Sequence, residues 1–412
     1  MIFLGVLFSV IKIAKVEGVI NPPTASYMLR AIRVAEREGS ECLIFELDTP
    51  GGLDKSMRKV TKSILNAALP IIVYVSPHGA RCASAGVFIL LSAHIAVMAP
   101  GTNVGAAHPV ALGKEMPKEM KKKVENDAVA YIRSIAKKRN KNEEWAEEAV
   151  RKSVSITAEE ASKKGVIDFI AQDVKEVIEK INGWKVNVGS EVRILNTKDK
   201  KIEKIPWTIK ETFLSKITTP TIAYILLTLG LWGIILEFSH PGAIFPGVFG
   251  GISLLLAFYA LHLLPVNYVG VGLIILAFIL FILEALTPTY GPLAIGGVVS
   301  LVLGSFMLIE GGVPFLQISR LSIFIVTGLT ASFFVFILTM IFRTMKKKPI
   351  IGVRGFIGEK GVVREKITPE RGGRVFINGE WWNAVADEII EVGEKVEVVK
   401  VNHLTIKVRK IK

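Results

Sequence analysis

At 412 residues the chain is too long for one hydrophobic core, so two or three domains are expected. Half of its residues are hydrophobic and its mean hydropathy is positive, which excludes an ordinary soluble enzyme. Charges almost vanish between Thr219 and Phe342, the pattern of a membrane protein with soluble ends. The net charge is +14, but the basic residues form no stripe interleaved with aromatics, so they suit a membrane surface and not nucleic acid.

Residues 1–10, MIFLGVLFSV, are an apolar run with no basic start and no small-residue cleavage site, too short to span a bilayer; the expectation is a remnant of an export signal. IKIAKVEGVI then alternates like a strand, and TASYMLRAIRVAEREG reads as an amphipathic helix ending at Gly39. CLIFELDTPGG is a strand running into a glycine turn, DKSMRKVTKSILNA a helix, and PIIVYVS and HIAVMAPG buried strands. Strand and helix in alternation predict a parallel α/β domain with its ligands beyond the carboxyl ends of the strands. A helix from Met120 to about Arg139 puts Val124, Ala128, Tyr131, Ile132 and Ile135 on one side. Thr157 with Glu160 makes a capping box for a short helix that exits at Gly165.

The polar, basic segment 196–218 reads as a linker. Five apolar segments follow, at about 219–238, 243–264, 267–287, 291–309 and 321–342, each near the length of a bilayer core. The cluster RTMKKK behind the last one predicts a cytoplasmic carboxyl end, and an odd number of spans then puts the amino-terminal domain outside. Within the spans Glu237 and Glu284, 47 positions apart, each precede a proline by four residues and then a Gly-Gly pair, an internal repeat of two helix hairpins. A pair of intramembrane carboxylates can mark a functional site; near the cytoplasmic ends the simpler expectation is that both reach the interface. A linker at 343–352 leads to residues 353–412, short alternating strands split by glycine turns, which predict a five-stranded barrel of the OB type. The tryptophans of GEWWNA are expected in its core.

The stretch RCASAGVFILLS sets Ser84 among small residues directly before an apolar run, at a helix start where backbone N–H groups lie unpaired: either a small N-cap or a nucleophile beside an anion site. Acyl transfer also needs oxyanion donors and a base. The amides of Gly51, Gly52 and Ala85 are candidate donors. Lys123 and His108 compete as the base. An ordinary lysine titrates near 10.4, so a lysine base requires surroundings that disfavour its ammonium, whereas a histidine needs none. Cys42 and Cys82 form no metal motif and no disulfide framework, and both are expected as small core residues. No metal or nucleotide motif is present, and no cofactor is expected.

LDTPGG, ASAGVFILLSAHIAVMAPGTNVGAAHP, the lysine before VENDAVAYIRS, and TAEEASKKGVID, in that order, resemble the NfeD-type membrane-bound serine proteases encoded with stomatin-like proteins. The resemblance runs from about residue 11 to the end. It implies a Clp/crotonase-like α/β protease domain over 11–195, the 196–218 linker, a five-helix membrane bundle over 219–342, and the OB-type barrel. It also implies an ATP-independent Ser-Lys dyad of Ser84 and Lys123, an oxyanion hole at the PGG turn and the amide after the serine, and His108 beside the cleft and not the base. The implied substrate is an exposed apolar polypeptide segment such as a stomatin tail; membrane lipid, a stomatin-like protein and further copies of the chain are the implied partners. The competing expectations are an inert membrane scaffold for stomatin-like proteins and a crotonase-type acyl-CoA enzyme.

Overall fold

Strand residues that alternate between two buried faces set the architecture of the amino-terminal region. In CLIFELD, Leu43, Phe45 and Leu47 join one apolar cluster while Cys42 and Ile44 join another, and IIVYV splits in the same way. A parallel sheet covered on both faces produces this near-continuous apolar pattern. The computed structural model describes residues 10–110, 117–239, 244–287, 291–309, 317–345 and 357–411, so the expected export remnant lies almost wholly outside the described residues.

The elements run β1 (Ile11–Glu17), α1 (Pro22–Arg37), β2 (Cys42–Asp48), α2 (Asp54–Leu65), β3 (Ile71–Val75), β4 (Arg81–Ala83), α3 (Ala85–Ser92), β5 (Ile95–Met98) and β6 (Asn103–Gly105). Then follow α4 (Lys118–Lys138), α5 (Glu143–Arg151), β7 (Ser155–Thr157), α6 (Ala158–Lys163), β8 (Phe169–Ile170), α7 (Val174–Ile181), a hairpin of β9 (Lys185–Val188) and β10 (Glu191–Ile194), β11 (Ile202–Lys204) and α8 (Ile209–Ile217). The central sheet is parallel in the order β11-β1-β2-β3-β5-β8, and a smaller sheet β4-β6-β7 stands beside it. The capping box at Thr157 and Glu160 is formed, and Gly165 leaves the helix with φ +67°.

Residues 196–218 are more than a linker. β11 pairs in parallel with β1 at the sheet edge, where the buried ammonium of Lys12 meets Glu203 and Glu38. α8 docks back on α1 through a two-pronged pairing of Arg30 with Glu211, at 2.8 Å for each prong, and Trp207 stacks on Tyr27 at 4.3 Å. A segment rich in lysine reads as solvated chain, but its apolar residues Ile205 and Trp207 supply the docking.

Five apolar helices follow: α9 (Pro220–Ser239), α10 (Phe245–His262), α11 (Tyr268–Leu286), α12 (Pro292–Met307) and α13 (Arg320–Met345). Three stretches within them, Pro220–Phe238, Phe245–His262 and Tyr268–Leu286, are long and apolar enough to cross a membrane; among the described residues α12 is shorter, and the apolar stretch of α13 is Arg320–Phe336. The repeat is a pair of hairpins, α9 with α10 and α11 with α12, and its glutamates do not simply reach for the interface. Glu284 is fully buried and accepts the N–H groups of Gly291, Leu293 and Ala294 at 2.9, 3.0 and 3.2 Å. Half-buried Glu237 accepts that of Gly247 at 3.3 Å. Gly247 and Ala294 are themselves 47 positions apart, so both hairpins use the same device, a carboxylate that satisfies the orphan amides opening the next helix. The prolines Pro241 and Pro288 lie outside the described residues.

The carboxyl-terminal unit is a closed barrel of β12 (Lys360–Thr368), β13 (Gly372–Ile377), β14 (Glu380–Val385), β15 (Lys395–Asn402) and β16 (Thr405–Lys410), in the order β12-β13-β14-β16-β15. Trp382 packs against its apolar core as expected, but Trp381 does not: 61 % exposed, it meets Phe376 edge-on across the β13-β14 hairpin.

Candidate active site

The carboxyl ends of β2 and β4 converge on one turn. β2 runs into Thr49-Pro50-Gly51-Gly52, and β4 runs into Ser84 and then α3, all eight of whose residues are buried. That burial accounts for the apolar run after the serine: α3 is a core helix whose first residue opens on a cleft. Ser84 sits at φ 54°, ψ −112°, outside the regions a serine ordinarily adopts. The strain is held by its neighbours. The Ser84 N–H donates to Gly105 O at 3.0 Å, the Val87 N–H donates to Ser84 O at 3.1 Å, and the Ala83 N–H donates to Thr49 O at 3.0 Å. Such stored strain gathers where a side chain must be aimed. Ser84 makes no side-chain capping bond to α3, so the small N-cap reading does not account for it.

Gly51 and Gly52 are required by contact. A methyl on Gly51, at φ +114°, would lie 2.6 Å from Ser84 Cβ, and one on Gly52 would lie 2.3 Å from Ile20 O. The three candidate amides are not equivalent. The Gly51 N–H already donates to Thr49 Oγ1 at 3.0 Å. Among the described residues those of Gly52 and Ala85 have no acceptor, and Gly52 and Ala85 line the same cleft as Ser84. The turn is held from behind, with Ile20 N–H donating to Gly51 O at 2.9 Å and Leu53 N–H to Ile20 O at 3.0 Å.

The cleft has a volume of about 610 Å³, with Met57, Phe88, Val124 and Ala128 among its apolar lining. Ser84, Lys123 and His108 all line it, so the structure brings the serine and both candidate bases to one cavity. Lys123 is exposed, on the second turn of α4. His108 is half-buried, with Nδ1 2.9 Å from Val150 O. A carbonyl only accepts, so Nδ1 carries a proton, and in the neutral ring Nε2 is the nitrogen with the lone pair. Cys82 is fully buried beneath the turn, and burial pushes its thiol well up, which removes it as a rival nucleophile; Cys42 is buried likewise. Among the described residues no group of His, Cys, Asp and Glu could hold a metal ion.

Two interactions around this cleft escape a linear reading. Thr49 takes the Gly51 amide, and Arg58 bridges Asp54 of α2 to Asp127 of α4 while lying over the Tyr131 ring at 4.5 Å. Asp54 and Arg58 stand four apart in a helix, which the sequence does contain; nothing local announces the third member.

A strained serine behind a glycine turn, two free amides and a basic residue in one cleft, on an α/β domain joined to apolar helices, define the class: a membrane-bound serine protease. The descriptions that match the chain are "NfeD1b, N-terminal domain" over residues 10–205, "NfeD integral membrane domain" over 221–341, and "NfeD-like C-terminal, partner-binding domain" over 353–410. A membrane-bound protease of Pyrococcus horikoshii is 38% identical over 411 residues, covering 97% of this chain and 92% of the relative. The membrane protein NfeD1b of Bacillus subtilis is 28% identical over 423 residues, covering 97% and 93%. A solved structure of a membrane-bound stomatin-specific protease, a lysine-to-alanine variant with a substrate peptide, is 35% identical with TM-score 0.48, over 51% of this chain and 97% of that one. The chain belongs to the NfeD family.

Proposed function

We propose that the chain is an ATP-independent endopeptidase in which Ser84 attacks the scissile carbonyl, Lys123 is the general base, and the amides of Gly52 and Ala85 receive the oxyanion. The observation that carries this reading is the strained Ser84 opening on a cleft that also holds Lys123 and two amide donors without acceptors among the described residues. The lysine Nζ takes the hydroxyl proton as Oγ bonds to the carbonyl carbon and returns it to the leaving amine; water then cleaves the acyl-enzyme. Lys123 is exposed in the free protein, so a bound polypeptide covers it and excludes water, the condition in which catalytic hydrogen bonds tighten. The apolar lining favours exposed apolar segments. A barrel matching a partner-binding description supports a protein partner, and the motif resemblance to proteases encoded with stomatin-like proteins makes that partner a stomatin-like one. The protease domain faces the extracytoplasmic side and the barrel the cytoplasm, as the basic cluster after the last apolar segment implies.

His108 is the second reading for the base, favoured by its lone-pair Nε2 in the same cleft. Cleavage of a labelled, unfolded apolar-rich polypeptide by the full chain in detergent micelles separates the two. Ser84→Ala and Lys123→Ala should be silent and His108→Ala active. The converse pattern makes histidine the base, and an inert but folded parent leaves the scaffold.

A further inference from the structure

Lys123 and Asp127 stand one turn apart on α4, the spacing at which a lysine and an aspartate side chain pair on a helix surface. Such a pair would hold the lysine as an ammonium, the form that cannot accept a proton from the serine. In the structure Asp127 is paired elsewhere. Its Oδ2 takes the Arg58 NH2 group, while the Arg58 Nε reaches both carboxylate oxygens of Asp54 at 3.0 Å each. The guanidinium lies over Tyr131, on α4 one turn beyond Asp127, at 4.5 Å, so the cation is fixed in place by α2 and α4 together. Lys123 makes no hydrogen bond or ion pair among the described residues.

From this geometry we infer that Arg58 is a positioning residue of the protease, which sequesters Asp127 and so keeps Lys123 free of a carboxylate partner on the cleft side of α4. The charged or titratable groups lining the cleft with Lys123 are Asp54 and Arg58 from α2, His108 from the segment after β6, and Asp127 from its own helix. Asp54 shares the same guanidinium, so the two carboxylates that line the cleft with Lys123 are both held by one residue; Glu119, one turn before Lys123 on α4, is outside the cleft lining and makes no ion pair with it among the described residues. The Arg58 guanidinium titrates above its ordinary range: burial pulls it down, but the hydrogen bonds and charges of Asp54 and Asp127 outweigh that, and Arg58 stays a cation wherever the enzyme works.

The inference rests on Lys123 being the base, so the test reads both. The pH dependence of kcat is measured with a labelled, unfolded apolar-rich polypeptide and the full chain in detergent micelles. In Arg58→Gln the midpoint of the acid limb should move up by about one pH unit, the effect of a carboxylate released beside an amine. Arg58→Gln combined with Asp127→Asn should return the midpoint to that of the parent, a rescue that a purely structural role for Arg58 would not give. Should Arg58→Gln fail to fold, Asp127→Asn alone decides: sequestered, Asp127 leaves the midpoint within about 0.3 unit, whereas a carboxylate already paired with Lys123 moves it down by about one. An unshifted midpoint in folded Arg58→Gln, or a shift that the double variant keeps, overturns the inference. Activity retained in Lys123→Ala overturns the dyad instead.

Discussion

Replacing Gly51 by alanine tests the geometry of the turn directly. The added methyl would stand 2.6 Å from Ser84 Cβ and 3.1 Å from its Oγ, where non-bonded carbons settle at about 3.5–4.0 Å, so the serine must retreat by about 1 Å. The turn cannot absorb the shift, because the Gly51 amide is held by Thr49 and its carbonyl by Ile20. A displacement of about 1 Å at the reacting atoms costs about 100-fold in rate, or about 2.7 kcal/mol of barrier. Alanine at φ +114° also costs on the order of 1–3 kcal/mol of stability, which alone would not impair catalysis by the folded fraction. Gly165→Ala is the control: its φ is +67°, but its methyl meets nothing within 4 Å. Both variants should lower the thermal unfolding midpoint of the full chain in micelles, and only Gly51→Ala should lose kcat by about two orders of magnitude. A folded Gly51→Ala enzyme with kcat within about twofold of the parent would refute the argument that this contact aims the nucleophile.

The remaining predictions concern stability. Glu284→Ala leaves three amides of the α11-α12 hairpin without their acceptor and should destabilise the protein by about 3 kcal/mol or more, whereas Glu237→Ala, losing one long hydrogen bond, should cost about 1 kcal/mol; unfolding in mixed micelles compares them, and equal losses would argue against the shared cap. His94 is held down to about 3 by burial and by the nearby Arg139 and Lys138 charges, and its Nδ1 accepts the Ile71 N–H at 3.1 Å. The unfolded chain binds that proton near 6.5 and the native chain does not, so this stability is full above about pH 6.5 and is lost as pH falls toward 3. The loss is on the order of 1.4 kcal/mol per pH unit at its steepest. His94→Gln should flatten the acid side of the thermal-unfolding profile, and an unchanged slope would contradict the assignment.

The parallel sheet, the capping box and the closed barrel were legible because each rests on local pattern: two-face alternation in CLIFELD and IIVYV, threonine three residues before glutamate, glycine turns between short strands. The segment 196–218 misled because its lysines are on the page while the partners of its few apolar residues are not. Trp207 counts as core only once Tyr27, some 180 positions earlier, is beside it. The glutamate repeat was visible as a spacing, but its meaning depended on where the next helix begins. A carboxylate near the end of one apolar helix reads as a cost until the amides that open the following helix are seen to meet it.

The site divides along the same line. Ser84 could be singled out because a small polar residue before a fully apolar helix has few reasons to exist, and Gly51 and Gly52 because only glycine fits where two backbones close on a side chain. Which of the adjacent amides remains free could not be read, since the answer turns on a threonine hydroxyl two residues upstream. Lys123 lies after two further lysines, and composition gives no ground for separating it from its neighbours. What separates them is the cleft: Lys123 lines it and Lys121 and Lys122 do not, and the aspartate one turn beyond it, Asp127, is engaged by Arg58, 69 positions before that aspartate. A sequence reports which side chains are available for proton transfer; which of them remains unpaired depends on a competition among charges that only the fold brings within reach of one another.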